Sequence, residues 1–127
     1  MADVPQLSDG IVMLDAFTLD DVSVHLAGED EEQARRFGWY PRRSTEATVR
    51  DAFARWEKSW EREGETRAFA MRDLMSRELV GGCEIRLQDK QVAEISYWTY
   101  PSHRQKGYAT RAVRLASEFS FKQLGVA

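Results

Sequence analysis

Apolar positions along this chain follow two periods. From about residue 18 to 62 they recur every three or four residues, between 66 and 100 they alternate or run together, and after Tyr108 the longer spacing returns. The first apolar run, IVMLDAF over 11–17, predicts a strand. Thr18 then opens TLDDVSVHL. Asp21 stands three residues on, in the spacing of a capping box, and Leu19, Val22 and Leu26 follow at helical spacing. Residues 28–36, GEDEEQARR, read as charged surface, and FGWYPRRS over 37–44 as a loop punctuated by Gly38 and Pro41. Ser44 is placed to cap the next helix. That helix carries Val49, Ala52, Phe53, Trp56 and Trp60 on one stripe and stops near Gly64. On such a stripe Trp56 and Trp60 read as core, not as a ligand platform.

The period then shortens. TRAFAMRD predicts a strand and LMSR a turn. In ELVGGCEIRLQ, Cys83, Ile85 and Leu87 fall on one face and Glu84 and Arg86 on the other. Gly81-Gly82 predicts a bulge or a close backbone approach. After a turn at residues 89–90, VAEISYWTY is apolar on both faces, as a central strand would be. The three strands make an antiparallel meander. A helix from about Tyr108 to Leu124 follows, turning Ala109, Ala112, Val113, Ala116 and Phe119 or Ser120 inward, with Gly125 as its C-cap. Strand, two helices, three strands and a helix make an α+β, or mixed α/β, domain. A helix after the last strand ordinarily returns the chain to a parallel neighbour. The sequence ends at LGVA, so the reading expects a single domain over 1–127 that is cut short after this helix. It also expects an exposed edge on the VAEISYWTY strand, open to a second copy in a homodimer.

Composition narrows the functional classes. At 127 residues the chain has room for one core. A net charge of -3 argues against general nucleic-acid binding; only 102–114 is basic, with no aromatic interleaving beyond Tyr108. No apolar run reaches the roughly 18 residues a bilayer span needs, and MADVPQLSDG lacks the features of a signal peptide. A lone cysteine, Cys83, excludes an internal disulfide and a multi-cysteine zinc site, and reads as a buried small apolar residue in a reduced, cytoplasmic protein. His25 and His103 both fall in segments that read as surface, so no metal site is expected.

One stretch stands apart. SHRQKGYATRAV, 102–113, concentrates Arg104, Lys106 and Arg111 with no acid where a strand turns into a helix. A helix N-terminus offers unpaired amides and a positive dipole end, and Gly107 lets the backbone approach a ligand closely. The arrangement suits a phosphate. A solvated basic helix start beside an acidic surface would look the same in sequence. Neither a P-loop nor a dinucleotide fingerprint is present.

RQKGYAT resembles the acyl-CoA pyrophosphate loop of the GNAT N-acetyltransferase superfamily, whose signature is [QR]-x-x-G-x-[GA]; Arg104, Gly107 and Ala109 fill its defined positions. AEISYW is similar to the matching strand of the histone-acetylating branch. RFGWYPRRS and ELVGGCEIRL resemble the branch that acetylates N-termini of ribosomal proteins. The resemblance covers the chain from about residue 10.

The resemblance implies a GNAT fold, N-terminal portion, and an acetyl-CoA-dependent N-acetyltransferase acting on a protein N-terminus or small amine by direct attack. The backbone of Gln105, Lys106, Gly107, Tyr108, Ala109 and Thr110, with Arg104, would hold the pyrophosphate. Trp98, Thr99 and Tyr100 would bind the pantetheine arm and acetyl carbonyl, where a backbone donor stabilises the oxyanion. Glu94 stands where the histone-acetylating branch carries its general base, and a carboxylate in an apolar strand would have the raised pKa a base needs. Glu84 is a second choice. Direct transfer excludes Cys83 as a nucleophile. Trp39, Tyr40, Arg42 and Arg43 would meet the acceptor, although a loop packed by Trp39 with solvated arginines fits equally. The family continues with another strand, and with a later helix that often supplies the acid for the leaving thiolate. The alternative reading is therefore a non-catalytic acyl-CoA-binding or interaction module.

Overall fold

The structure, a computed structural model, describes residues 4–28, 45–88 and 92–125. Strands β1 (Leu7–Ser8), β2 (Val12–Asp15), β3 (Thr66–Asp73), β4 (Leu79–Leu87) and β5 (Ala93–Thr99) form one antiparallel sheet in the order β1-β2-β3-β4-β5. Helix α1 (Asp21–Gly28) follows β2, α2 (Glu46–Glu61) precedes β3, and α3 (Tyr108–Gln123) follows β5 through a 3-10 turn at Pro101–His103. This is the predicted α+β order, with one short strand, β1, added. Two residues long, β1 carries too little pattern to be read.

The period-two alternation of the strands gives the sheet two apolar faces. On one, Leu14, Phe69, Met71, Cys83 and Ile85 pack against Ala112 and Ala116 of α3. Those alanines and Ser120 recur every fourth residue and are buried, so the helix lies close over the sheet on small side chains. On the other face, Ala70, Leu79, Trp98 and Tyr100 meet Phe17 and Trp56, which bridge to Val22, Val49 and Phe53 of α1 and α2. Trp60 is core, with its indole N–H donating to the Ala68 carbonyl at 2.8 Å; Trp56 is partly buried.

The glycine pair does what its position predicted. A Cβ at Gly81 would overlap the Trp98 carbonyl oxygen, and one at Gly82 the Trp98 indole, so the ring lies flat across β4. The register slips beside it: Met71 pairs with Gly81 and Arg72 with Leu79, leaving Val80 as an extra residue.

Helix α1 is fastened by charge. Arg72 of β3 is buried and donates to both carboxylate oxygens of Asp21 at 2.9 and 2.7 Å, to Asp15 at 2.8 Å, and to the Ala16 carbonyl at 3.1 Å. Burial alone would raise the Asp21 carboxyl, but Arg72 and the Thr18 amide outweigh it and hold the group below its ordinary value. Asp15 has a weaker hold on Arg72, and there burial wins and lifts the carboxyl.

The helix begins at Asp21, not at Thr18. Asp21 does reach back to the Thr18 amide at 2.8 Å, but the intervening residues form a turn, and Leu19, expected inward, is 66% exposed. The inward position it leaves is taken by His25. Ser44 lies outside the described residues, and Thr45 caps α2.

Candidate functional site

The segment between β5 and α3 crosses the rim of the sheet and is tied to it at each step. Arg104 Nε donates to the Thr99 carbonyl at 3.0 Å, folding the loop back on the strand it leaves. His103 Nε2 lies 3.3 Å from a Glu78 carboxylate oxygen, Tyr108 Oη donates to Asp73 Oδ2 at 2.9 Å, and Arg111 donates to Asp9 Oδ2 at 2.9 Å. Three acids, at the start of β4, the end of β3 and the β1–β2 turn, therefore each hold one residue of the loop or first helical turn. Asp73 also accepts from the amides of Met75 and Ser76, so one carboxylate closes the β3–β4 turn and anchors Tyr108. These bonds hold its carboxyl below the ordinary value, and Asp73 in turn raises the Tyr108 phenol.

These ties change the reading of the basic cluster. Arg104 and Arg111 are occupied by Thr99 and Asp9, and Lys106 is exposed. The acidic surroundings that sequence reasoning set against an anion site are real, yet they serve to position the loop. Gln105 and Gly107 both have positive φ, +64° and +81°; left-handed residues of this kind occur in concave turns whose successive amides can meet an anion. Gly107 is the N-cap and provides no side chain; α3 has no side-chain cap bond and no acid in its first turn. The first intrahelical bond at this end runs from the Arg111 amide to the Gly107 carbonyl at 3.3 Å. The amides of Tyr108, Ala109 and Thr110 precede it and have no carbonyl to reach within the helix. They present the positive end of the helix to whatever binds there.

Next to this turn runs the edge of β5, whose outer side pairs with no strand among the described residues. The Tyr100 amide donates to the Val80 carbonyl at 2.9 Å. An antiparallel ladder bonds alternate residues, so Trp98, paired with Gly82, also turns its peptide groups toward β4, while Tyr97 and Thr99 turn theirs to the edge. Of the three residues expected to bind pantetheine and the acetyl carbonyl, only Thr99 faces the edge with its backbone. Tyr97, which the sequence reading did not name, shares that orientation. Trp98 and Tyr100 instead send their side chains to the α1/α2 face.

Glu94 lies on that face, opposite Arg86, and is not sheltered by the apolar strand around it. It is exposed, accepts a hydrogen bond from Gln88 Nε2 at 3.1 Å, and stands five residues before Thr99, roughly 16 Å along a strand. Glu84 is opposite Ser96, one strand row nearer, half-buried and bonded to Arg86 at 2.9 Å. Trp39, Tyr40, Arg42 and Arg43 lie outside the described residues. Burial pushes the Cys83 thiol up to about 12, which keeps it protonated at neutral pH and unfit as a nucleophile.

The two histidines differ. His103 packs its ring edge-on to Tyr108, 6.3 Å between centroids. His25, expected at the surface, is 4% exposed and sits among Phe17, Phe53, Trp98 and Tyr100; its Nδ1 is 2.7 Å from Tyr100 Oη. The sequence signal for this was its place beside Val22 and Leu26 on the inward stripe. Among the described residues, no group of three or more His, Cys, Asp or Glu could hold a metal ion, and no helix is long and apolar enough to cross a membrane.

Comparison with known proteins places the fold. Residues 12–127 match the model of the acetyltransferase (GNAT) domain family. No curated protein matches the sequence. Among solved structures, a GNAT-family acetyltransferase from Bacillus anthracis aligns with a TM-score of 0.77 at 18% identity, over 96% of this chain and 69% of that one. The ribosomal L7/L12 alpha-N-protein acetyltransferase RimL aligns at 0.78 and 12%, over 97% and 68%. A spermidine N-acetyltransferase from Vibrio cholerae, solved with CoA and spermine, aligns at 0.73 and 18%, over 93% and 68%.

Proposed function

The chain belongs to the GNAT acetyltransferase family, whose members use acetyl-CoA, and on that premise we propose that it transfers the acetyl group to a primary amine, a protein N-terminus or a small amine, by direct attack. One observation carries the reading: an unclosed helix N-terminus with positive-φ residues before it stands beside an outward-facing strand edge. The residues present fit acetyl-CoA. The amides of Gln105 to Thr110 would hold its pyrophosphate, with Lys106 adding charge and Arg104 locking the loop to Thr99. The outward peptide groups of Thr99 and Tyr97 would align the pantetheine arm, and an edge amide would donate to the carbonyl oxygen. Such a donor is worth roughly a hundredfold or more in rate, because it acts where charge develops. Bound acetyl-CoA supplies an activated thioester, and the chain supplies position, oxyanion stabilisation and exclusion of water.

Two relatives in structure are named for a ribosomal-protein N-terminus and for spermidine, which supports a primary amine as the acceptor class. The buried thiol of Cys83 suits a reducing, cytoplasmic compartment. A second copy pairing on the β5 edge would compete with the cosubstrate for the same peptide groups, a point that analytical ultracentrifugation with and without acetyl-CoA resolves.

The test is release of free thiol from acetyl-CoA, with a peptide bearing an N-terminal serine and with spermidine, each product identified by mass spectrometry. Acetylation of either supports the proposal. Acetyl-CoA binding with no turnover on any primary amine would make the chain a binding module.

A further inference from the structure

We propose that Asp9, in the β1–β2 turn, is a positioning residue for the cosubstrate, acting through Arg111 to hold the open start of α3 in place. This inference rests on the reading of that helix start as the pyrophosphate site. It adds a residue that lies ahead of the stretch matching the family domain.

Asp9 divides its carboxylate between two tasks. Oδ1 accepts from the amides of Ile11 and Val12, both at 2.9 Å, and closes the turn. Oδ2 accepts from Arg111, also at 2.9 Å and 102 residues along the chain. Asp73 repeats the arrangement at the β3–β4 turn: its Oδ1 accepts from the amides of Met75 and Ser76, and its Oδ2 from the Tyr108 hydroxyl. The two turns are joined, because the Leu74 amide donates to the Ile11 carbonyl at 2.9 Å. Tyr108 and Arg111 stand three residues apart, on one side of the helix. Two hairpin ends, fixed to each other, thus grip one side of the first turn of α3, the turn to which the open amides belong.

Further along, α3 rests on the sheet through Ala112 and Ala116, small apolar contacts with no direction of their own. The bonds at Tyr108 and Arg111 are directional, so they set where the helix start stands on the rim of the sheet. Electrostatics alone would argue against an acid here. Asp9 neutralises a cation on the first turn of the helix, and an unneutralised Arg111 would attract a pyrophosphate better. Burial would raise the Asp9 carboxyl, but the Val12 and Ile11 amides and Arg111 outweigh it and hold the group below its ordinary value, so it is charged at neutral pH. The pair is partly exposed, and such pairs add little to stability. Its contribution is geometric, and geometry and charge predict opposite signs for its removal.

Asp9→Asn separates the two tasks. The amide oxygen still serves Ile11 and Val12, while the NH2 group faces the Arg111 guanidinium, donor against donor. The experiment titrates acetyl-CoA and S-acetylpantetheine, which lacks the pyrophosphate, into the parent, Asp9→Asn, Arg111→Gln and the double variant, with thermal melts as a check on the fold. Asp9→Asn is expected to melt near the parent, to bind acetyl-CoA about threefold to fivefold more weakly, and to bind S-acetylpantetheine as the parent does. In the Arg111→Gln background the same change should cost no further affinity, because the partner through which Asp9 acts is gone. Unchanged or tighter acetyl-CoA binding by Asp9→Asn would overturn the proposal and leave Asp9 a surface acid that merely neutralises Arg111. An equal loss for both ligands, or the full loss again without Arg111, would also overturn it. If the parent itself binds the two ligands equally, the pyrophosphate reading fails before any variant is compared, and the role of Asp9 fails with it.

Discussion

Helices α2 and α3 begin in opposite ways. At the start of α2, Thr45 accepts from the Thr48 amide at 3.2 Å while the Thr48 hydroxyl accepts from the Thr45 amide at 2.8 Å, and Glu46 places an acid in the first turn. The helix satisfies its own first amides, and its dipole is met from within. At the start of α3 the cap is Gly107, the first turn holds no acid, and the side chains of the first turn reach outward to neighbouring acids, Tyr108 to Asp73 and Arg111 to Asp9. A helix that serves only the fold closes its end, as α2 does. Where the end stays open and its surroundings are fastened by outward-reaching bonds, the unmet donors are positioned for something that the chain itself does not supply.

That contrast can be broken from either side. The largest effect is expected from Gly107→Asp. It forces a side chain into a left-handed position, at about 1–2 kcal/mol, and sets a negative charge in the open turn. Affinity for acetyl-CoA, read by calorimetry, should fall by about a hundredfold or more, and an unchanged value would remove the turn from the site. Arg104→Ala comes next. Without the bond to Thr99 the loop loses its lock on the strand, and affinity should fall about tenfold with kcat little altered. Thr45→Ala tests the closed end: a melt should show a loss of about 1 kcal/mol, with acetyl-CoA affinity unchanged. The smallest change is expected from Tyr108→Phe, which deletes only the hydroxyl that reaches Asp73. A few-fold rise in KM for acetyl-CoA, with the acceptor's KM unmoved, would sharpen the view that the rim acids tension the loop.

The sequence disclosed one end of this contrast better than the other. The open turn was legible because it needs a particular glycine, with alanine behind it, in a fixed order, and local order is what sequence carries. The meander and the close approach at Gly81-Gly82 were legible for the same reason. What failed was set by partners far along the chain. Leu19 and His25 exchanged the roles expected of them because Arg72, more than fifty residues away, fixes where α1 begins. Glu94 looked sheltered in an apolar run, yet its end of β5 is exposed. Trp98 and Tyr100 were grouped with Thr99 by adjacency, whereas the ladder's alternation, anchored at Val80, separates them. The substrate loop expected at Trp39, Tyr40, Arg42 and Arg43 lies outside the described residues.

The most direct test of the central claim compares acetyl-CoA with S-acetylpantetheine, which keeps the thioester and arm but lacks the pyrophosphate and nucleotide. Titration calorimetry of the unaltered chain should show acetyl-CoA binding at least about a hundredfold more tightly, because the open amides of α3 are matched only by a phosphate. Equal affinity for the two would mean that the strand edge alone binds the cosubstrate and that the open end of α3 holds nothing.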